Sequence, residues 1–143
     1  MRFIGTFEQT LDPKGRLALP ARFRRLLTPE DHDTLVLTLG RERCMLLYPL
    51  GEWVQLMERL DAMPRNEAKR DAVRAISADT LELDVDANGR MTIPRSFLER
   101  SGIERDVTIV GSLRYIEVWS RAAFTRARDA RRDQSKDILD QLF

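Results

Sequence analysis

A chain that repeats one pattern can fold only in ways that give both copies equivalent places. Here DPKGRLALPARFR begins at Asp12 and DANGRMTIPRSFL begins at Asp86. Aligned without gaps, Asp12 falls on Asp86, Gly15 on Gly89, Arg16 on Arg90, Pro20 on Pro94 and Phe23 on Phe97. The likeness resumes downstream, where TLVLTLGRERCMLLYPLGEW from Thr34 is similar to DVTIVGSLRYIEVWSRAAF from Asp106. That second alignment sets Gly40 on Gly111, Tyr48 on Trp119 and Trp53 on Phe124. Two copies are too few for an open solenoid, which needs about three. A pseudo-symmetric pair closing on itself fits better.

Within each copy the local signals agree. DPKG and DANG place Asp first and Gly last in a type I turn followed by a left-handed glycine, the usual three-residue hairpin loop. Strands should flank it, about Phe3–Leu11 with Arg16–Leu19 and about Leu81–Val85 with Arg90–Ile93. Pro20 and Pro94 end the second strand and suit the first turn of a short helix. PRSFLERSGI closes at Gly102, with Ile103 as the apolar residue of a Schellman-like end. A second hairpin pairs Thr34–Leu39 with Arg43–Tyr48, and Val107–Val110 with Tyr115–Trp119. Each copy therefore reads β-β-α-β-β, and the fold class is α+β with a mainly β core.

Trp53, Leu56, Met57 and Leu60 recur at helical spacing, and Ala72, Val73 and Ile76 mark a second helix beyond Pro64. Core packing is the expectation for both stripes. The last stretch, from Arg121, is helix-prone and charged, with Ile138, Leu139, Leu142 and Phe143 as its only late apolar group. The organisation expected is a repeat at residues 5–52, a helical connector at 53–77, a second repeat at 78–123 and a helical tail at 124–143.

The totals narrow the function. Cys44 and His32 are each alone, so the usual zinc frameworks lack ligands and Ser-His or Cys-His catalysis is poorly supplied. Cys44 sits in CMLLY, where a buried strand position is expected. No phosphate-cradling glycine loop is present, so no enzyme, cofactor, metal or small-molecule substrate is expected. No apolar run approaches the ~20 residues of a membrane span, and MRFIGTFEQT has no signal core, so the expected place is the cytoplasm. Net charge is +1, yet Lys14, Arg16, Arg22, Arg24 and Arg25 form a stretch without an acidic residue. That concentrates a basic surface in the first copy.

Two readings of the paired Asp and Arg remain open on residues alone. Each Asp can accept turn amides and pair with its Arg, a purely structural role worth only ~0–1 kcal/mol when exposed. Alternatively, a projecting tip enters a major groove, where Arg16 and Arg90 meet guanine O6 and N7 as forks while Asp12 and Asp86 orient them. Lys14, Arg22 and Arg24 would then suit phosphate.

TLDPKGRLALPARFR, CMLLYPLGEW and DANGRMTIP with VTIVGSLRYIEVW resemble the MraZ family, bacterial transcriptional regulators that carry two SpoVT-AbrB-type motifs in one chain. The likeness runs from about Phe3 to Phe124. It implies a swapped-hairpin β-barrel made by both ββαββ repeats, with flanking helices. It further implies ring-like homo-oligomers, nucleoid association, and double-stranded promoter DNA with short G-rich direct repeats as partner. In the family that promoter drives the cell-division and cell-wall cluster, usually under repression that includes the regulator's own gene. Carried over, the motif positions are Asp12 and Arg16, then Asp86 and Arg90, with Lys14 in the basic loop and Asn88 as its uncharged counterpart. The competing class is an antitoxin-like protein-interaction module that captures a partner through the tail ending in ILDQLF.

Overall fold

Turn residues and apolar alternation divide the chain into eight strands, four from each copy. In the computed structural model, which describes residues 2–143, the first copy supplies β1 (Thr6–Thr10), β2 (Arg16–Ala18), β3 (Thr34–Leu39) and β4 (Met45–Pro49). The second supplies β5 (Leu81–Asp84), β6 (Arg90–Thr92), β7 (Asp106–Ser112) and β8 (Tyr115–Ser120). Short helices α1 (Ala21–Arg24) and α4 (Arg95–Arg100) follow the glycine turns. Between the copies lie α2 (Leu50–Asp61) and α3 (Glu67–Ala78), and the chain ends in α5 (Arg121–Ala130) and α6 (Lys136–Leu142). The core is thus mainly antiparallel β, with helices flanking it.

The strands beside each glycine turn do not pair with one another, contrary to the hairpins read from the sequence. β1 pairs with β7 of the other copy, and β5 pairs with β3. β2 pairs with β6, and β4 with β8, completing a set of pairings that cross between copies. The large sheet runs β1-β7-β8-β4-β3-β5, an order that reads the same in reverse when the copies are exchanged. A pseudo-two-fold axis therefore passes between β4 and β8 and through the β2–β6 ribbon. The ladders form this six-stranded sheet and the separate ribbon, not one closed ring of strands.

The reason for the crossing is burial. Three-residue strands cannot bury Leu17 and Met91 alone, but opposed across the ribbon they are 1% and 0% exposed. With Leu19, Ile93, Phe23, Phe97, Ile109 and Leu37 they form one core fed by both copies. Phe23 of α1 takes edge contacts from Phe3 and Phe7, with centroids 5.3 and 5.1 Å apart. Where β1 and β2 would have laddered, Gln9 substitutes its amide: Nε2 donates to the Ala18 carbonyl and Oε1 accepts from the Ala18 amide.

The repeat extends to the helix docks. Tyr48 meets Trp53 edge-on at 5.5 Å, and the aligned pair Trp119 and Phe124 does the same at 5.9 Å. α4 ends in the Schellman bonds expected, Ile103 N–H to Leu98 O and Gly102 N–H to Glu99 O, with Gly102 at φ 66°. Cys44 is buried as anticipated, one residue ahead of β4, and burial pushes its thiol up to about 12. The helical stripes pack less deeply than the sequence implies, since neither α2 nor α3 contains a fully buried residue. α2 packs against β3 and β4, while Val54 of α2, Met63 in the loop after it and Val73 of α3 stay exposed. Among the described residues, no helix is long and apolar enough to cross a membrane.

Gly111 shows how tightly the N-terminal segment is joined to β7. A Cβ there would collide with the carbonyl carbon and oxygen of Phe3, whose backbone bridges to Leu113. At the aligned Gly40, the nearest atom is the Cys44 Sγ, 2.9 Å away, and a side chain can yield. Gly111→Ala should therefore destabilise the protein by about 3 kcal/mol and Gly40→Ala by clearly less, measured as denaturant midpoints. Equal losses would mean that the Phe3 approach is not what fixes Gly111.

Candidate nucleic-acid interface

The two glycine turns are built alike, atom for atom along the backbone. Asp12 Oδ1 accepts from the amides of Lys14 and Arg16, both at 2.9 Å, and the Gly15 amide donates to the Asp12 carbonyl at 2.9 Å. Asp86 Oδ1 accepts from Asn88 at 2.8 Å and Arg90 at 3.0 Å, and the Gly89 amide donates to the Asp86 carbonyl at 2.9 Å. Gly15 and Gly89 sit at φ 75° and 77°, the left-handed region that a side chain would strain. Aspartate suits the first position because one short side-chain oxygen reaches the amides of the third and fifth residues of the turn.

Ribbon pairing then decides where the arginines go. Arg16 opposes Thr92 and Ala18 opposes Arg90, while Leu17 and Met91 take the inward side. The outward face of the ribbon therefore carries four side chains, with the two arginines diagonal and the small Ala18 and Thr92 between them. Their side chains are about a third exposed, 29% for Arg16 and 34% for Arg90.

The side-chain pairing breaks the symmetry. Arg16 Nε donates to Asp12 Oδ2, and among the described residues its terminal nitrogens make no hydrogen bond. Arg90 Nη1 also approaches Asp12 Oδ2, at 3.9 Å, and Arg90 Nε stands 3.8 Å from Asp86 Oδ2 without a hydrogen-bond partner. Asp12 thus serves both arginines and Asp86 only its own. The Arg16 amide, then its guanidinium and the Lys14 amide, hold the Asp12 carboxyl below its ordinary range. The Arg90 amide leads the same effect at Asp86, where the charge of Arg16 also contributes. The ribbon brings both tips into one four-residue cluster, with Arg90 approaching both aspartates.

Around the cluster, Lys14, Arg22 and Arg25 are exposed and make no ion pair among the described residues. Arg24 is half-buried and donates to the carbonyls of Asp86 and Ala87 in the second tip, at 3.2 and 3.4 Å. Among the described residues, no group of three or more His, Cys, Asp or Glu side chains could hold a metal ion.

A family model described as "MraZ protein, putative antitoxin-like" matches residues 2–75 and again residues 76–141. The chain belongs to the MraZ family. Proteins called transcriptional regulator MraZ are 33% identical in Pediococcus pentosaceus and Heliobacterium modesticaldum and 34% identical in Syntrophomonas wolfei. Each alignment covers 98% of this chain and 96% of the relative. The doubled match of the MraZ model agrees with the palindromic strand order, in which each copy supplies half of every crossing pair.

Gln9 beside the ribbon and Asp31, which braces the start of α2 and not the ribbon, both escaped sequence reading. Gln9 is an ordinary strand glutamine until β1 and β2 are seen to part, and nothing local marks it. Asp31 is 1% exposed, and its carboxylate accepts from Thr28 and from the Gly51 amide at the start of α2. The capping box around TPED was the available signal.

Because the folded Asp12 carboxyl is depressed from the ordinary 3.8, its contribution is complete above that value and fades as pH falls through the lower folded value. Asp12→Asn should therefore lower the melting temperature at pH 7, and the gap from the unaltered protein should close as pH falls through and below the ordinary carboxylate range. Asp86→Asn should show a smaller gap. A gap that persists unchanged into acid would rule out ionisation of Asp12 as its source.

Proposed function

We propose that this protein is a sequence-specific DNA-binding transcriptional regulator that reads promoter DNA with Arg16 and Arg90. The observation that carries the reading is the ribbon's outward face, where two part-exposed guanidiniums stand together beside carboxylates that orient them. Cα atoms of diagonal strand neighbours lie ~7–8 Å apart, about two base steps of a duplex, so both forks reach one groove. Arginine forks pair with guanine O6 and N7, which suits G-rich sites. Lys14, Arg22 and Arg24 contribute phosphate contacts that set affinity and register. The relatives' shared name, transcriptional regulator, supports the same class and a non-enzymatic role.

The finer reading is repression at short direct repeats upstream of the cell-division and cell-wall cluster, including the protein's own promoter, by a cytoplasmic, nucleoid-associated ring of subunits. Near-neutral net charge favours assembly as part of the mechanism. One ribbon with a few cations binds weakly, whereas several on a ring facing evenly spaced repeats gain ~10²–10⁴ through effective concentration. The exposed Val54, Met63 and Val73 offer apolar surface for contacts between copies.

An antitoxin-like interaction module is the second reading, favoured by the fully exposed apolar end of α6, where Ile138, Leu142 and Phe143 are 63%, 71% and 101% exposed. Deletion of residues 135–143 separates the two, because a tail-capture module loses its protein partner while a DNA reader keeps its operator. Gel shifts on the protein's own upstream DNA test the main reading. Arg16→Ala should abolish specific binding with the fold intact, and Arg90→Ala should weaken it by at least ~10-fold. If both variants bind like the unaltered protein, the ribbon does not read bases.

A further inference from the structure

We propose that Arg24 is the positioning residue of the second tip, supplied from the first copy, and that it gives that tip the cation its own sequence lacks. The inference rests on the DNA-interface reading for its consequence, but its geometry stands apart from it. Since the Leu19 amide donates to the Gly89 carbonyl at 2.8 Å, the chain leaving β2 runs beside the second turn, and α1 is laid over it. Arg24 then donates to two carbonyls of that turn, Asp86 and Ala87. Its guanidinium covers Gly89 so closely that a Cβ there would lie 3.2 Å from Nη1 and 3.7 Å from Cδ.

The mirror-image seat is different. The Ile93 amide donates to the Gly15 carbonyl at 3.0 Å, and α4 lies over the first turn in the same way. The residue that aligns with Arg24 there is Leu98, whose Cδ1 is 3.8 Å from the position of a Gly15 Cβ. One tip therefore rests on a leucine and carries Lys14 on its turn. The other rests on an arginine and carries the uncharged Asn88. Besides its motif arginine, each tip ends with one further cation, Lys14 on the first turn and Arg24 laid over the second.

The arrangement fits a positioning role because Arg24 uses only part of its donor set on the turn. Among the described residues its remaining N–H groups make no hydrogen bond and it has no acidic partner. A guanidinium fixed in this way holds the Asp86–Gly89 backbone, and hence Arg90, while leaving donors for a phosphate oxygen.

Arg24→Leu gives the second tip the seat of the first, and two readouts decide the proposal. Backbone amide shifts of Asn88 and Gly89 should move while those of Lys14 and Gly15 stay. Binding to duplex DNA from the protein's own upstream region should weaken, with the log–log salt slope falling by about one per ribbon engaged. Arg24→Lys should keep the slope and still shift the Gly89 amide, because a point charge cannot span both carbonyls. Unmoved Asn88 and Gly89 amides in Arg24→Leu would overturn the positioning role. Moved amides with an unchanged slope would overturn the charge role. If the unaltered protein and Arg16→Ala bind that DNA alike, the functional reading fails instead, and the amide shifts alone judge Arg24. Should Arg24→Leu not fold, Arg24→Gln takes its place under the same criteria.

Discussion

The pairing of β2 with β6 is the contact on which the rest of the molecule depends. Two three-residue strands, neither able to bury its own apolar residue, meet so that Leu17 and Met91 close the core from opposite copies. Strand alternation does the rest, because putting those two residues inside forces Arg16, Ala18, Arg90 and Thr92 outside. The same few hydrogen bonds therefore fix the core and assemble the cationic face. β1 with β7, β3 with β5 and β4 with β8 also pair across copies, so the six-stranded sheet is shared between the halves, and the outward face of the ribbon lies on the axis that relates them.

That axis is obeyed by the backbone and broken by the side chains. The glycine turns superpose in every backbone bond described, down to the φ of Gly15 and Gly89. Asp12 nevertheless holds two guanidiniums where Asp86 holds one, and Arg24 and Leu98 occupy equivalent seats with opposite chemistry. A single chain with two copies can do this, whereas a symmetric dimer of one copy cannot. On the proposed reading, two unlike tips give a physical basis for a preferred orientation on DNA.

Much of this was legible in the sequence. The Asp-x-x-Gly turns, the helix-ending Gly102 with Ile103, and the aligned aromatic pairs Tyr48–Trp53 and Trp119–Phe124 were all written locally, in turn chemistry and spacing. The β3–β4 and β7–β8 hairpins were legible too, but the partners of β1, β2, β5 and β6 were not, because a tight turn implies a hairpin and here long-range burial overrides that local preference. Charge assignment failed for the same reason. Arg24 belongs to the basic run of the first copy in sequence, but crossing of the chains lays it on the second tip, so DPKGR and DANGR are less unequal in space than in print. The depth of the α2 and α3 stripes was also overestimated, since periodicity reports amphipathicity and not how much of the apolar side another element covers.

The central claim is that Arg16 and Arg90 act as one reading surface created by the ribbon. Side-chain Nε–H spectra of the protein titrated with its upstream duplex follow both arginines directly. The signals of Arg16 and Arg90 should shift together, saturate at the same DNA ratio, and move less with a duplex whose guanines are replaced. Saturable binding that leaves either Nε–H unmoved would contradict the claim and return that Asp–Arg pair to a purely structural role.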